Sequence, residues 1–290
     1  MILTHTLGTS LALAYPGAER PLWKYVYGGK PKPFFHPLCT PAGHELTIFE
    51  PSDHVWQRGL WFAPKFINGS NFWEEKEHPW GAQVTRAPLN VLCHAATSVA
   101  GSADANTIHV ESDVAWTGTD GVAIIDESRT FTHRPLDQDA YTLDFTFALT
   151  PRVDVTVDRT PYNGKWGGYG GFAFRGNRNW LNTKLLFDDG TTSDRPTPKP
   201  SKWCDLTGLI DGGRSQYAGI AIFDHPENPR HPVPWYGGTG PNHYFNAAMF
   251  FHEPMTWPAG KPLTLQYRVL VHDQVWNADR LNAAWAAWTG

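Results

Sequence analysis

The stretch Val122-Ala-Ile-Ile-Asp-Glu-Ser-Arg-Thr-Phe-Thr132 is the clearest indicator of the fold. It has the β-branched bias and the length of a strand. Comparable runs, separated by turn residues or by Arg134-Pro135, lie on either side of it: Asn90 to Val99, Thr107 to Trp116, and Ala140 to Leu149. Consecutive strand-length runs joined by short turns predict an antiparallel meander.

Two charged residues of the quoted stretch share a face. Because side chains alternate along a strand, Glu127 and Arg129 point to the same side as Ile125 and Phe131. Such a pair is either a surface ion pair, which contributes little to stability, or part of a pocket wall. In the second case Glu127 is a candidate catalytic carboxylate and Arg129 a candidate substrate-binding group.

The composition extends the β prediction to the whole chain of 290 residues. It contains 27 Gly and 24 Pro, and charged residues make up only 18%, which is typical of many short strands joined by tight turns. Leu263 to His272 alternates cleanly, whereas Asn277 to Trp288 has helical spacing. We find no repeat or linker. We therefore predict an all-β fold, as a single domain over residues 1–290, with one short C-terminal helix.

Charge, hydropathy and cysteine usage exclude several classes of protein. The net charge is −4 and there is no basic run, so nucleic acid is not an expected partner. No window approaches 18 uninterrupted apolar residues, so no membrane span is expected. Cys39, Cys93 and Cys204 are far apart and lack a Cys-x-x-Cys motif, which argues against a disulfide framework or a thiolate zinc site. A reducing, cytoplasmic location fits best.

The segment Asp53-His-Val-Trp-Gln-Arg-Gly-Leu-Trp-Phe62 concentrates the chemistry expected of a binding site. The C–H face of a pyranose packs on indole, while its hydroxyls need directed donors and acceptors. We interpret the segment as one wall of a sugar pocket, with Arg58 and Trp61 binding substrate and His54 in catalysis. The alternative is that the tryptophans are core residues and that His54 is a turn residue bound by backbone.

Residues 159 to 176 form a glycine-rich loop that runs into a strand. No Gly-x-Gly-x-x-Gly opens a helix here and no Gly-Lys-Ser/Thr follows, so a phosphate-binding loop is disfavoured. Glycines spaced by aromatic residues suit β-bulges or a close approach of the backbone to a ligand. Trp166, within this loop, is a candidate stacking platform.

Four histidines stand next to a carboxylate, in Asp53-His54, Asp224-His225, His252-Glu253 and His272-Asp273. Adjacent strand residues face opposite sides, so we do not expect the pairs themselves to be dyads. Histidine is the readiest general acid near pH 7 and a carboxylate supplies a base or nucleophile. The further catalytic candidates are His225, His252 and Glu253, and the further substrate-binding candidates are Trp235 and His272. Buried structural roles remain open for each.

Several of these segments together resemble a family of bacterial proteins labelled "methane oxygenase PmoA". The matching segments are Phe35-His-Pro-Leu-Cys-Thr-Pro-Ala-Gly43, Asp53-His54 with Arg58-Gly-Leu-Trp61, Gly219-Ile-Ala-Ile-Phe-Asp-His-Pro-Glu-Asn-Pro-Arg-His-Pro232, and the run from Phe251-His-Glu-Pro254 to Asp273. This chain has Trp56 and Gln57 where the family usually carries histidines, which argues against a metal cluster there. The oxygenase label conflicts with the lack of apolar spans.

The resemblance implies a large antiparallel β-sandwich of the galactose-mutarotase type, a supersandwich, and a place in carbohydrate catabolism. Asn242-His-Tyr-Phe-Asn246 is similar to the Asn-His-x-Tyr-Phe-Asn signature of aldose 1-epimerases, but one residue shorter.

We therefore expect a carbohydrate-active enzyme that acts on a glycoside or an oxidised (keto) sugar by His/carboxylate acid–base chemistry. The alternatives are a non-catalytic sugar-binding protein and a metal-dependent sugar enzyme. The expected partner is a small-molecule or oligosaccharide substrate, and the oligomeric state is open. Thirteen histidines offer ligands but no motif of fixed spacing does, so no cofactor is predicted and a divalent metal stays open.

Overall fold

The computed structural model describes residues 1–74, 91–101, 107–118, 120–195, 198–212 and 216–290. Within them the chain folds into three antiparallel sheets and one α-helix. The strands are numbered β1 to β22 in chain order. Asn90, at the start of a predicted strand, lies outside the described residues.

The first sheet has nine strands. In spatial order they are β1 Ile2–Thr6, β2 Ser10–Ala14, β3 Trp23–Val26, β4 Phe34–Leu38, β5 Leu60–Ala63, β13 Gly171–Arg175, β20 Tyr244–Ala247, β19 Pro234–Gly238 and β16 Lys199–Pro200. Its middle is therefore assembled from three distant parts of the chain, because β13 pairs with β5 on one side and with β20 on the other.

The second sheet also has nine strands. In spatial order they are β15 Thr192–Ser193, β14 Trp180–Phe187, β17 Trp203–Ile210, β18 Tyr217–Asp224, β22 Leu263–Asp273, β11 Ala140–Pro151, β10 Ala123–Asp137, β9 Ile108–Thr117 and β8 Val91–Gly101. The last four are neighbours in both sequence and space, so the predicted antiparallel meander is confirmed.

A third, four-stranded sheet is formed by β21 Met255–Trp257, β12 Val155–Asp158, β6 Phe66–Ile67 and β7 Ser70–Asn71. A short 3-10 helix, Gly240–Asn242, leads into β20.

The two large sheets pack face to face around one hydrophobic core. Aromatic side chains of β4 and β5 contact those of β10 and β11: Phe35 lies 5.0 Å from Phe131 and Phe62 lies 4.6 Å from Phe147, between ring centroids. The core contains buried residues from both sheets, which is the geometry of a sandwich. The predicted all-β sandwich with a C-terminal helix is confirmed.

The helix α1 (Ala278–Thr289) covers the outer face of the second sheet. The side chain of Asn277 caps its first turn by accepting a hydrogen bond of 3.0 Å from the backbone N–H of Arg280. Leu281 is fully buried in a cluster with Trp203, Phe223 and Trp276. The helix therefore closes one outer face of the sandwich. Nowhere in the part of the chain that the structure describes is a helix long and apolar enough to cross a membrane.

Candidate functional site

The outer face of the first sheet carries the candidate site. Alternation along β13 sends Phe172 and Phe174 into the core, so Ala173 and Arg175 point outward. Ala173 lies in register with Trp61 of β5 and Asn246 of β20, and Arg175 with Tyr244. The outer face therefore has small residues at its centre and large polar or aromatic residues around them.

Four aromatic side chains on this side form a continuous surface, which we call the aromatic floor: Trp61, Trp73, Tyr236 and Tyr244. Ring centroids are 5.2 Å apart between Trp61 and Trp73 and 6.4 Å apart between Trp73 and Tyr244. Tyr236 extends the surface, 6.3 Å from Tyr244. All four are buried in a cluster distinct from the sandwich core, with 1% of each tryptophan and 8% of each tyrosine exposed. The cluster combines apolar ring faces with two hydroxyl groups, and its tyrosines are the more accessible members.

An arginine cluster lies beside the floor. Buried Arg175 donates from Nη1 to Gln57 Oε1 and from Nη2 to Asp53 Oδ2 and Asn242 Oδ1, each at 2.8 Å. Arg178 donates to the other oxygen of Asp53 at 2.6 Å. One carboxylate is therefore held by two guanidinium groups, and charge-assisted bonds of this kind fix its position.

His54 lies at the rim of the same cluster. Its Nδ1 is 3.1 Å from Asp53 Oδ2, and its ring meets that of Trp56 edge to face at 5.2 Å. Residues 51–57 form consecutive turns, closed by the bonds His54 N to Pro51 O and Gln57 N to His54 O. The alternation of a strand does not apply in a turn, so the side chains of Asp53 and His54 lie on the same side of the backbone.

The charge of Asp53 is stabilised in place. Partial burial raises its pKa, but the hydrogen bond and charge of Arg175, together with His54, lower it to about 2. Asp53 is therefore ionised at any physiological pH. Its charge lies 3.1 Å from His54 Nδ1, where it would stabilise a positive charge on the imidazole.

A second cluster borders the floor at Trp73, and in it one lysine pairs with one carboxylate. The buried Lys65 ammonium bonds Glu74 Oε1 and donates to the Tyr169 hydroxyl at 3.0 Å. Asn71 Nδ2 donates to the second oxygen of Glu74 at 2.6 Å. Burial lowers the pKa of Lys65, and the adjacent Glu74 opposes that shift. The cluster thus places a hydrogen-bonded Lys–Glu pair next to the aromatic floor.

Tyr244 lies between the two clusters. Burial raises its pKa well above the usual value, neighbouring Tyr236, Tyr169 and Glu74 raise it further, and Arg175 lowers it. Its hydroxyl donates to Asn246 Oδ1 at 2.9 Å. Because it stays protonated, Tyr244 is a neutral hydroxyl that feels the charges of both clusters.

Glycines allow the loop before β13 to reach this face. A Cβ on Gly168 would lie 2.2 Å from the Phe251 ring, and one on Gly171 would lie 2.3 Å from the carbonyl oxygen of Ala247. Both residues also have positive φ, 77° and 127°. The loop therefore lies close against β20 and the 248–251 turn, which brings Tyr169 to the floor at 5.4 Å from Trp73.

One family model matches residues 13–286, that of the "Family of unknown function (DUF6807)". The chain belongs to this family. No curated protein matches it. A solved structure titled "Crystal Structure Analysis of HI1317" aligns over 94% of this chain and 99% of its own, with 12% identity and a TM-score of 0.28, a likeness that carries no inference about this DUF6807 chain. The resemblance to the PmoA-labelled proteins and to aldose 1-epimerases stays a prediction.

Several candidates from the sequence lie on or near the outer face of the first sheet. His54 and Trp61 belong to the arrangement described above. Arg58 is buried beside it, donates to Glu50 at 2.8 Å and lies 5.8 Å from the Phe34 ring. Trp166 is in the glycine-rich loop with 49% of its surface exposed. It is therefore placed to meet a ligand that approaches from solvent, but not as part of the floor.

His252 and Glu253 lie at the far margin. Phe251, a member of the floor's cluster, contacts the His252 ring at 5.2 Å, and Arg159 donates to the His252 carbonyl at 2.6 Å. Both side chains line a separate cavity of about 250 Å³, whose other lining residues are Pro200, Arg230, Pro232, Pro234 and Met249. His252 and Glu253 are thus near the floor but line this separate cavity.

The other candidates are not brought to this face. Glu127 and Arg129 pair at 2.6 Å inside the sandwich, where Trp116 donates to Glu127 at 2.7 Å, so they form neither the surface pair nor the pocket wall that we considered. Trp235 also points into the core and donates to the Ser201 carbonyl.

Two histidine candidates lie on the opposite side of the sandwich, under or beside α1. His225 packs on Trp288 at 5.0 Å, and fully buried His272 bonds Asp205 at 3.0 Å. These histidines therefore have structural partners far from the aromatic floor.

Sequence reasoning did not single out Arg175, Tyr244, Lys65 or Glu74. A signal existed for two of them. Arg175 ends the alternation Gly171-Phe-Ala-Phe-Arg175, in which small residues and one cation occupy the face opposite two phenylalanines. Tyr244 is inside the epimerase-like segment. For the residues that the structure describes, no group of three or more His, Cys, Asp or Glu side chains is placed to hold a metal ion.

Proposed function

We propose that this protein is a carbohydrate-active enzyme that binds a glycoside or keto sugar on the outer face of the first sheet and transforms it by acid–base chemistry. The observation that supports this most is the aromatic floor bordered by an Asp53–His54 pair on one side and a Lys65–Glu74 pair on another. Aromatic surface combined with convergent ionisable groups is the usual composition of a small-molecule site.

The floor suits a sugar ring. Its two tyrosines, which share a cluster with the buried indole rings of Trp61 and Trp73, are the members that a pyranose C–H face would contact. Around it, Gln57, Asn242, Asn246 and Tyr169 provide the directed donors and acceptors that hydroxyl groups require. A binding protein needs little more than this, so the ionisable pairs are what favour an enzyme.

His54 is the proposed general acid–base. Asp53 is held ionised by two arginines, so it orients the imidazole and stabilises its protonated form without competing for the proton. In elimination from a keto sugar, His54 takes the proton next to the carbonyl and the electron pair expels the glycosidic oxygen. That oxygen then receives the proton from the imidazolium. Hydrolysis and anomeric exchange use the same proton relay with water or the ring oxygen.

Tyr244 is the proposed electrophilic partner. Burial keeps its hydroxyl protonated, so its one hydrogen can be donated to a carbonyl or ring oxygen on which negative charge develops, in exchange for the bond that it makes to Asn246 Oδ1. Arg175, which opposes the raised pKa of Tyr244, stabilises the same charge at longer range.

We also propose a reducing, cytoplasmic location. Cys39 and Cys204 are free and buried, and burial raises the pKa of the Cys39 thiol to about 12, which suppresses the thiolate that disulfide exchange requires.

The test is a proton NMR time course of the purified protein with plain and 3-keto glycosides. The wild type is compared with His54→Gln and Tyr244→Phe, and with His225→Gln as a control histidine on the opposite side of the sandwich. We expect turnover or faster anomeric exchange in the wild type and the control, and a loss in the other two variants. Ligand line broadening without product in any sample would reject catalysis and leave a sugar-binding protein.

A further inference from the structure

The arginine cluster beside the aromatic floor carries a positive charge although the chain does not. The whole protein carries −4. Among the described residues, Lys65 and Glu74 neutralise each other on one side of the floor. On the other side, Arg175 and Arg178 share the single carboxylate of Asp53. One positive charge of this cluster is therefore not balanced by Asp53.

Arg175 is incompletely satisfied in this cluster. It is 2% exposed, and its Nε is a buried donor for which the described residues provide no acceptor. Two of the three acceptors on its terminal nitrogens, Gln57 and Asn242, are neutral amide oxygens. Burying a cation with an unsatisfied N–H donor costs free energy. A ligand that accepts a hydrogen bond from that donor would remove part of this cost.

Two other ion pairs among the described residues differ from this one in their charge balance. Arg129 is equally buried and also leaves one nitrogen, Nη2, without an acceptor, but it faces Glu127 one to one, so the two charges cancel. Asp144 also accepts from two arginines, Arg134 and Arg268, but water reaches both of them, with 49% and 17% of their side chains exposed. At Asp144 both guanidinium groups contact solvent, whereas at Asp53 only Arg178 does and Arg175 is buried.

Arg178 links the buried arginine to the surface. It bonds Asp53 at 2.6 Å and leaves 43% of its side chain exposed, beside the rim formed by Asp53 and His54, each with 32% of its side chain exposed. An anion that enters beside His54 meets Arg178 first. Its charge is then balanced by the one positive charge that remains after Asp53 is counted, which matches a monoanionic carboxylate better than a dianionic phosphate.

We propose that Arg175 and Arg178 form a carboxylate subsite, so that the substrate class is an acidic saccharide, such as a glycosiduronic acid. This rests on the proposed function for the location of the sugar, but it concerns recognition and not chemistry. Arg178 is the entry and orienting contact, and Arg175 fixes the carboxylate relative to the His54–Asp53 pair.

Binding tests the subsite independently of turnover. Calorimetric titration compares D-glucuronic acid with its methyl ester and with D-glucose, for the wild type, for Arg178→Gln, and for Arg152→Gln as a control arginine that pairs with Asp126 on the exposed surface. We expect the wild type and the control to bind the acid about tenfold or more tightly than the ester, and Arg178→Gln to lose that preference, because a hydrogen bond to a charged group is lost. Glucose 6-phosphate is included to separate carboxylate from phosphate recognition.

The outcomes separate the two proposals. Equal affinity of the wild type for acid and ester, no binding of either, or tighter binding of the phosphate overturns the carboxylate subsite. If neutral glycosides are turned over while the acid and the ester bind with equal affinity, the enzyme proposal is supported and the carboxylate subsite is rejected. If the acid binds selectively but no glycoside or glycosiduronate reacts, the carboxylate subsite is supported and catalysis is rejected. Arg175→Lys, which keeps the charge but loses the fork, is expected to weaken binding of the acid more than binding of its methyl ester.

Discussion

The two outer faces of the sandwich both bury large aromatic residues, but one is covered by a helix and the other carries the candidate site. On the second sheet, α1 seals Trp203, Phe223, Trp276 and Leu281 beneath it. On the first sheet, Trp61, Trp73 and Tyr244 are buried to a similar extent. Burial of large aromatic residues therefore does not by itself distinguish a structural face from a binding face.

The polar groups make the difference. Beneath α1, His272 and Asp205 pair with each other, both fully buried. On the first sheet, buried Arg175 is connected through Asp53 to His54 and Arg178, which are partly exposed. A closed pair stabilises its face, whereas a buried charge connected to an accessible rim can act on a ligand. Substitutions on the first sheet's outer face should therefore change catalysis, whereas substitutions beneath α1 should change the free energy of unfolding.

The largest effect is expected from His54→Gln. Loss of the general acid–base should lower kcat/KM for a reactive sugar about 10²- to 10⁴-fold, while the melting temperature stays near that of the wild type because the side chain lies at the rim. Steady-state kinetics and thermal unfolding measure the two effects. His225→Gln, on the opposite side, should retain activity. An unchanged rate in His54→Gln would remove this residue from the mechanism.

Leu281→Ala should produce the opposite pattern. This fully buried side chain anchors α1, so its truncation should lower the free energy of unfolding by about 2 to 4 kcal/mol, measured by urea denaturation. Sugar turnover at a temperature where the variant stays folded should not change. If sugar turnover also fell in the folded variant, the two faces would be coupled. That result would contradict separate roles for the two faces.

Acid should destabilise the protein through His243, which lies next to the arginine cluster. Burial, and to a lesser extent Arg175, lower its pKa to about 4, against 6.5 for an unperturbed histidine. The unfolded chain therefore binds a proton between these values that the folded protein does not. Stability should be complete above pH 6.5 and should decline by about 3 kcal/mol as the pH falls toward 4.

The check is urea unfolding over that pH range for the wild type and for His243→Gln, which retains a hydrogen-bonding group for Thr183. The slope should flatten in the variant. An identical slope would assign the acid sensitivity to other groups, among which buried His133 also has a pKa lowered to about 4.

The smallest effect is expected from Asn277→Ala. This change removes the N-cap of α1 and should lower the free energy of unfolding by about 1 kcal/mol, with no effect on sugar binding. Asn277→Asp keeps an acceptor and serves as the matched control, which should remain close to the wild type in thermal unfolding. A loss of binding in Asn277→Ala would show that the helix-covered face communicates with the floor.

Much of the architecture could be predicted from local pattern. The alternation of Leu263 to His272 and the run from Val122 to Thr132 became β22 and β10, and the helical spacing from Asn277 became α1. These predictions succeeded because the period of apolar residues reflects how a single segment exposes one face to the core. The segment 53–62 was also recognised as unusual for the same local reason, its density of functional groups.

The residues that form the candidate site could not be predicted from local sequence pattern. Trp61 and Trp235 are both strand tryptophans, yet one faces outward and the other lies in the core. Glu127 and His272 carried the right chemistry but point into the sandwich and under the helix, respectively. Asp53 and His54 came together only because their segment is a turn.

The sequence by itself determined the class of the fold, the positions of the main strands and the C-terminal helix, because these depend on periodicity within each segment. Only the tertiary structure decided which residues meet at the aromatic floor. That choice depends on β13 pairing with β20, about 70 residues away along the chain, and with β5, more than 100 residues away, and on α1 covering the opposite face. Pairing between distant strands sets which side of each strand faces solvent, and no local pattern encodes it.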